Sequence, residues 1–194
     1  MAITIDGSGT ITGISSVDLP DNTVQTADIA DDAVTAGKLS GKTFVSYAII
    51  ADQKAAGTNA GTFTSGSWVT RELNTELTDP DNIVSITTNQ FTLAAGSYLI
   101  KASGPAYQVN SHQVRIYNVT DTATAILGYQ TYAGTSVGVQ TRSECSGRIT
   151  ITDTKIFELQ HRCGTTRTSN GLGNGIDFGE PNLYAMVEIY KEAG

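Results

Sequence analysis

Flat aromatic rings flanked by amide and guanidinium donors are the surfaces on which saccharides stack and hydrogen-bond. This chain gathers such groups in a few Gly- and Thr-rich stretches. Tyr129 and Tyr132 stand in GYQTYAG with Gln130 between them, Tyr107 stands in SGPAYQVN, and Arg167, Asn170 and Asn174 follow Gly164. A ring in a stretch of this kind has less reason to be buried than one in an apolar run, so these residues are candidate ligand contacts. Their competing role is to cover loop edges or to seal an interface between copies. Trp68 is read differently: beside Val69 and close to Leu73, it is expected in the core, with its ring nitrogen needing one partner.

Other chemistries find less support. Glycoside hydrolysis needs two carboxyl groups held across the bond. Glu144, Glu158 and Glu188 lie in or beside strand-like segments without D-x-D or E-x-E spacing, and neither G-x-S-x-G nor a His-led nucleophile motif occurs. No enzymatic activity is expected. His112 and His161 lack Cys or carboxylate partners at metal spacing, and Asp79 and Asp81 offer fewer oxygens than calcium takes, so neither metal nor cofactor is expected. Asn118-Val119-Thr120 matches the glycosylation tripeptide but reads most simply as a strand end, and no helical pattern follows Gly171–Gly175 to make it a phosphate loop. Cys145 and Cys163 flank a turn at Thr152-Asp153-Thr154. If a hairpin pairs about residue 154, the two fall opposite each other and a bridge is geometrically allowed; a one-residue slip removes it, and two buried free thiols are the alternative.

The elements that must carry these groups follow from composition. Among 194 residues there are 20 Gly and 28 Thr against 16% charged residues, a balance that favours strands and turns over solvent-facing helices. All 14 aromatic residues lie from Phe44 onward, so only the later part can build a large core. One globular domain is expected over 43–194. The net charge of −7 divides into −4 over residues 1–42 (six Asp, two Lys) and −3 beyond (13 acids, ten bases). An acidic chain without a basic face is repelled by nucleic acid, which excludes that partner. No apolar run approaches the length that spans a bilayer, and MAITIDGSG lacks the basic start and apolar middle of a signal peptide, so folding in a cytoplasm without membrane insertion is expected.

Within residues 1–18, residues 3–12 are ITIDGSGTIT, two β-branched tripeptides around a turn, which reads as a docking hairpin. Over 19–42 the apolar residues Leu19, Val24, Ile29, Val34 and Leu39 recur every five positions, a period that suits neither helix nor strand and implies stacking between units or chains in a shaft, the alternative being a disordered acidic linker. From Phe91 to Val119 short alternating segments and turns read as consecutive antiparallel strands. The first strand, Thr43 to Ile50, is apolar on both faces: Phe44, Ala48 and Ile50 on one, Val45, Tyr47 and Ile49 on the other. The last strand repeats this, with Leu183, Ala185, Val187 and Ile189 opposite Tyr184, Met186 and Tyr190. If these two strands are neighbours, their sheet carries a second apolar face outward. Phe44, Val45, Tyr47, Ile49, Tyr184, Met186 and Tyr190 are therefore candidate contacts of a homotrimer.

Several ordered motifs, G-x-W-x-x-R-x-L-N-T from Gly66, T-L-x-A-G-x-Y from Thr92 and H-x-x-R-I-x-N from His112, resemble the C1q/TNF-like jelly roll found at the tips of bacteriophage fibres and related trimeric adhesins. The segment Thr26 to Leu39 is similar to the V-T-x-x-K-L/I-A-D-x-A-V-T repeats of phage tail-fibre shafts. The resemblance implies an all-β antiparallel jelly-roll head that associates about a threefold axis. It also implies a virion appendage that docks on a baseplate or capsid protein through its N-terminus and binds a bacterial surface glycan or protein. The alternatives are a structural or decoration fibre without a receptor, and a bacterial secreted or spore-surface adhesin, which the absence of a Gly-X-Y stalk disfavours.

Overall fold

Eleven strands carry the chain in the computed structural model, which describes residues 44–136 and 138–193. They are β1 (Phe44–Lys54), β2 (Val69–Thr70), β3 (Thr75–Thr78), β4 (Val84–Thr87), β5 (Gln90–Leu93), β6 (Gly96–Tyr107), β7 (Asn110–Asn118), β8 (Ala123–Ala133), β9 (Gln140–Ile151), β10 (Lys155–Cys163) and β11 (Asn182–Glu192). The docking hairpin expected at 1–18 and the shaft expected at 19–42 lie outside the described residues. Alternation sets which way each strand faces. In β7 the buried residues are His112, Val114, Ile116 and Asn118, while Ser111, Gln113, Arg115 and Tyr117 face out.

The strands form two antiparallel sheets, β3-β1-β11-β6-β9 and β4-β5-β10-β7-β8, with β2 added to β10. After β5 nearly every connection crosses from one sheet to the other, which makes the fold an all-β jelly-roll sandwich. First and last strands are neighbours, the condition on which the outward apolar face rested: β1 pairs with β11 from Phe44↔Glu192 to Lys54↔Asn182. Between the sheets lies a core of Ala48, Ile50, Phe91, Leu93, Ile100, Val114, Ile116, Phe157, Leu159, Val187 and Ile189. Phe91 stacks on Phe157 at 5.7 Å between ring centroids, and the buried Tyr98 donates its hydroxyl to the Ala94 carbonyl at 2.9 Å. A smaller apolar cluster, Phe63, Ala106, Val109, Ala133 and Cys163, sits under the loops at one end.

Four expectations are corrected. Thr152-Asp153-Thr154 is a turn but not a hairpin: it joins β9 of one sheet to β10 of the other, so Cys145 and Cys163 are free thiols in separate clusters. GYQTYA is strand β8 rather than a loop. Gly128 reads as a breaker but serves close approach, since a Cβ there would meet the carbonyl oxygens of Val114 at 2.6 Å and Glu144 at 2.7 Å. Phe44 does not share a face with Ala48 and Ile50, because a bulge between Phe44 and Ser46 resets the parity and brings its ring to 5.3 Å from Tyr190 on the outer face. Tyr184 is no interface residue: its own loops bury it, its hydroxyl donates to the Thr58 carbonyl at 2.5 Å, and a Cβ on Gly173 would lie 2.3 Å from its ring.

Candidate functional site

The outward residues of β10, β7 and β8 lie side by side because the register aligns them: Gln160 opposite Arg115, Arg162 opposite Gln113, and Gln113 opposite Gln130. At one end of this face a recess of about 520 Å³ opens between Ser65, Gly66, Ser111, Gln113, Gln130 and Arg162. Next to it the Arg115 guanidinium stacks on Trp68 at 4.1 Å and on Tyr117 at 4.6 Å. Trp68 is thus a half-buried surface residue and not part of the core. The same guanidinium donates to Gln160 Oε1 at 2.7 Å and to Thr124 Oγ1 at 2.8 Å. Glu158 in turn accepts from Gln160 and from Thr70 at 2.9 Å, so this wall is a connected polar network. Gln113 donates to the Gly128 carbonyl at 2.7 Å, which holds the amide with its oxygen still free to accept.

Beneath the recess lies a buried basic group. The Thr141 hydroxyl donates to the Tyr132 carbonyl at 3.2 Å and therefore accepts from His112 Nε2–H at 2.8 Å. His112 Nδ1 must then accept from His161 Nε2–H at 2.9 Å, which leaves His161 Nδ1 a lone pair without a protein partner. Burial, with the Arg71 cation second, pushes His112 down to about 4 and His161 well below the usual imidazole range. Arg71 is fully buried and has no carboxylate bond among the described residues. It donates to the Pro105 carbonyl at 3.2 Å and the Leu172 carbonyl at 2.9 Å, and burial lowers it to about 10.

The candidate contacts do not converge. Gln130 lines the recess, and Tyr132, 61% exposed, flanks it with its hydroxyl donating to Asn110 Oδ1 at 3.0 Å. Tyr129 is 76% exposed but leans the other way, over a smaller recess with Lys101, Ser103, Glu144, Ser146 and Glu188 on the opposite sheet. That recess brings together two carboxylates whose spacing in sequence gave no hint of it. Tyr107, Arg167, Asn170 and Asn174 form a third group committed to the chain itself. The Arg167 guanidinium lies over Tyr107 at 5.5 Å and donates to Asn170 at 3.0 Å, and Asn170 donates to Asn174 at 2.9 Å. Of the candidate interface residues, Phe44, Val45 and Tyr47 are exposed and Ile49, Met186 and Tyr190 half-buried, all on the β1–β11 side.

Sequence reasoning missed Trp68, Gln113, Arg115 and Arg162 as surface groups. The signal was available in Phe157, Leu159 and His161 alternating with Glu158, Gln160 and Arg162.

No family model matches the chain, and no curated protein is similar to it. Among solved structures, murine APRIL at pH 5.0 is similar over 75% of this chain and 98% of its own, with 6% identity and a TM-score of 0.46. The globular domain of zebrafish complement 1qA protein is similar over 75% of this chain and 95% of its own, with 14% identity and a TM-score of 0.46. At this distance nothing of their ligands or partners carries over to this chain.

Proposed function

We propose that this chain is a bacteriophage virion fibre protein whose homotrimeric head binds a bacterial surface receptor, a saccharide by the chemistry of its recess. The observation that carries the reading is the division of labour between the two outer faces. One bears Phe44, Val45, Tyr47, Ile49, Met186 and Tyr190, an apolar surface suited to burial between copies. The other bears a recess of amides, hydroxyls and an arginine beside the Trp68–Arg115–Tyr117 stack, a surface suited to a hydroxylated ligand. Assembly through the first face leaves three copies of the second open to solvent. Weak sites on one rigid body then gain avidity without any catalytic step. The N-terminal residues would dock on a baseplate or capsid protein.

The test is attachment of the full chain to a panel of bacterial cells, with and without periodate oxidation of their surface glycans. The double variant Gln113→Ala/Gln130→Ala should remain trimeric by light scattering and lose attachment. Attachment unchanged by that variant removes the recess from the reading. Attachment to no strain, with the trimer intact, favours the rival role of a structural or decoration fibre.

A further inference from the structure

We infer that the recess selects a carboxylated saccharide, one bearing a hexuronate or similar acid, with Arg162 as its counter-ion. This rests on the saccharide reading above and narrows it. Of the six described arginines, Arg71 holds two carbonyls, Arg115 is stacked and bonded to Gln160 and Thr124, Arg142 donates to Ser103 and Tyr184, Arg148 pairs with Glu192, and Arg167 donates to Asn170. Arg162 is exposed and lines the recess, and its guanidinium makes no hydrogen bond or ion pair among the described residues. A guanidinium fork left uncommitted beside donor amides matches the two oxygens of a carboxylate.

The neighbouring charges leave that fork unneutralised. Glu158, the acid on the same row of β10, is engaged by Thr70, Gln90 and Gln160. Arg115 offsets Glu158, so Arg162 is the surplus charge on this face. One surplus cation fits a ligand group of charge −1, whereas a phosphate monoester at neutral pH carries more. The chain as a whole is at −7, so long-range attraction of an anion is absent and discrimination must come from the contact itself. Gln130, whose amide makes no bond among the described residues, and Gln113 Oε1 are placed to take the neighbouring sugar hydroxyls.

The experiment prints hexuronate-containing bacterial oligosaccharides on an array, each beside its carboxyl-reduced form, and probes them with the full chain. Binding should fall at least about tenfold on carboxyl reduction, the scale of one charge-assisted contact. Arg162→Gln should bind both forms alike with its solution mass unchanged, and Arg162→Lys should keep part of the preference. Equal binding of acidic and reduced forms by the unaltered chain overturns this inference and leaves the saccharide reading standing. A preference that survives Arg162→Gln overturns it as well. Binding to no member overturns both.

Discussion

Acid should loosen this protein well above the pH at which carboxylates protonate, and the buried histidine pair sets how far. In the folded state His112 titrates at about 4, against 6.5 for a free imidazole, and His161 is shifted in the same direction. An unfolded chain therefore binds protons between these limits that the folded chain refuses. The stability these histidines contribute is complete above pH 6.5 and is lost as pH falls toward 4. At 1.36 kcal/mol per pKa unit, lowering the pH from 7 to 5 removes about 2 kcal/mol through His112, and His161 adds a loss of the same sign. That is a large share of the 5–15 kcal/mol typical of a folded domain. Asp52, whose carboxyl burial raises, acts in the opposite sense, so a comparison of variants is needed. Urea unfolding at a fixed protomer concentration would be followed by Trp68 fluorescence at pH 7 and pH 5, for the native chain and for His112→Leu/His161→Phe. The native midpoint should drop sharply between the two pH values and the variant's should drop much less. Equal losses in both proteins would refute the assignment of the acid sensitivity to this pair.

Three further outcomes follow from the same structure. Arg71→Ala strands the Pro105 and Leu172 carbonyls and opens a cavity, so it should cost about 3–5 kcal/mol in urea unfolding while leaving secondary structure at neutral pH unchanged. Burial pushes the Cys145 and Cys163 thiols up to about 11; both should resist a thiol reagent until denaturant is added, and reductant should not shift the unfolding midpoint. Tyr47→Lys/Tyr190→Lys places two charges on the outer β1–β11 face, where the two residues stand opposite each other in the register. If that face is the assembly surface, light scattering should report a monomer of unchanged circular dichroism; a persisting trimer would move the interface elsewhere.

The strands were legible because their alternation is local; the pairing of first and last strands entered only as a condition, since two apolar faces say that a strand is covered on both sides but not by which neighbour. What alternation cannot report is a change of parity within a strand. Phe44 sits beyond a bulge and was placed on the wrong side for that reason alone. Turn residues likewise mark where the chain reverses but not into which sheet it returns, so Thr152–Thr154 suggested a hairpin and a bridge where the fold has a crossing. Gly128 misled in a third way: a glycine kept for close backbone approach looks in sequence like one kept for a turn. The polar site was least legible, since Arg71 bonds to carbonyls 34 and 101 residues away and Arg115 of β7 stacks on Trp68, which lies just before β2.

The place of β11 in its sheet has a consequence for how the protein is made. It lies between β1 and β6, yet it is the last of the described strands to leave the ribosome. Until Asn182–Glu192 emerges, the facing edges of β1 and β6 are both unpaired, and the inner side of the sheet lacks Ala185, Val187 and Ile189. A chain interrupted before that point keeps two open edges that invite pairing with other chains or capture by a protease. Only a finished head can close its sheet, and closing it also completes the outer row of Met186 and Tyr190 that a second copy would meet. Synthesis and folding are thereby forced into one order, with the final strand as the checkpoint, and any assembly through that row would have to follow both.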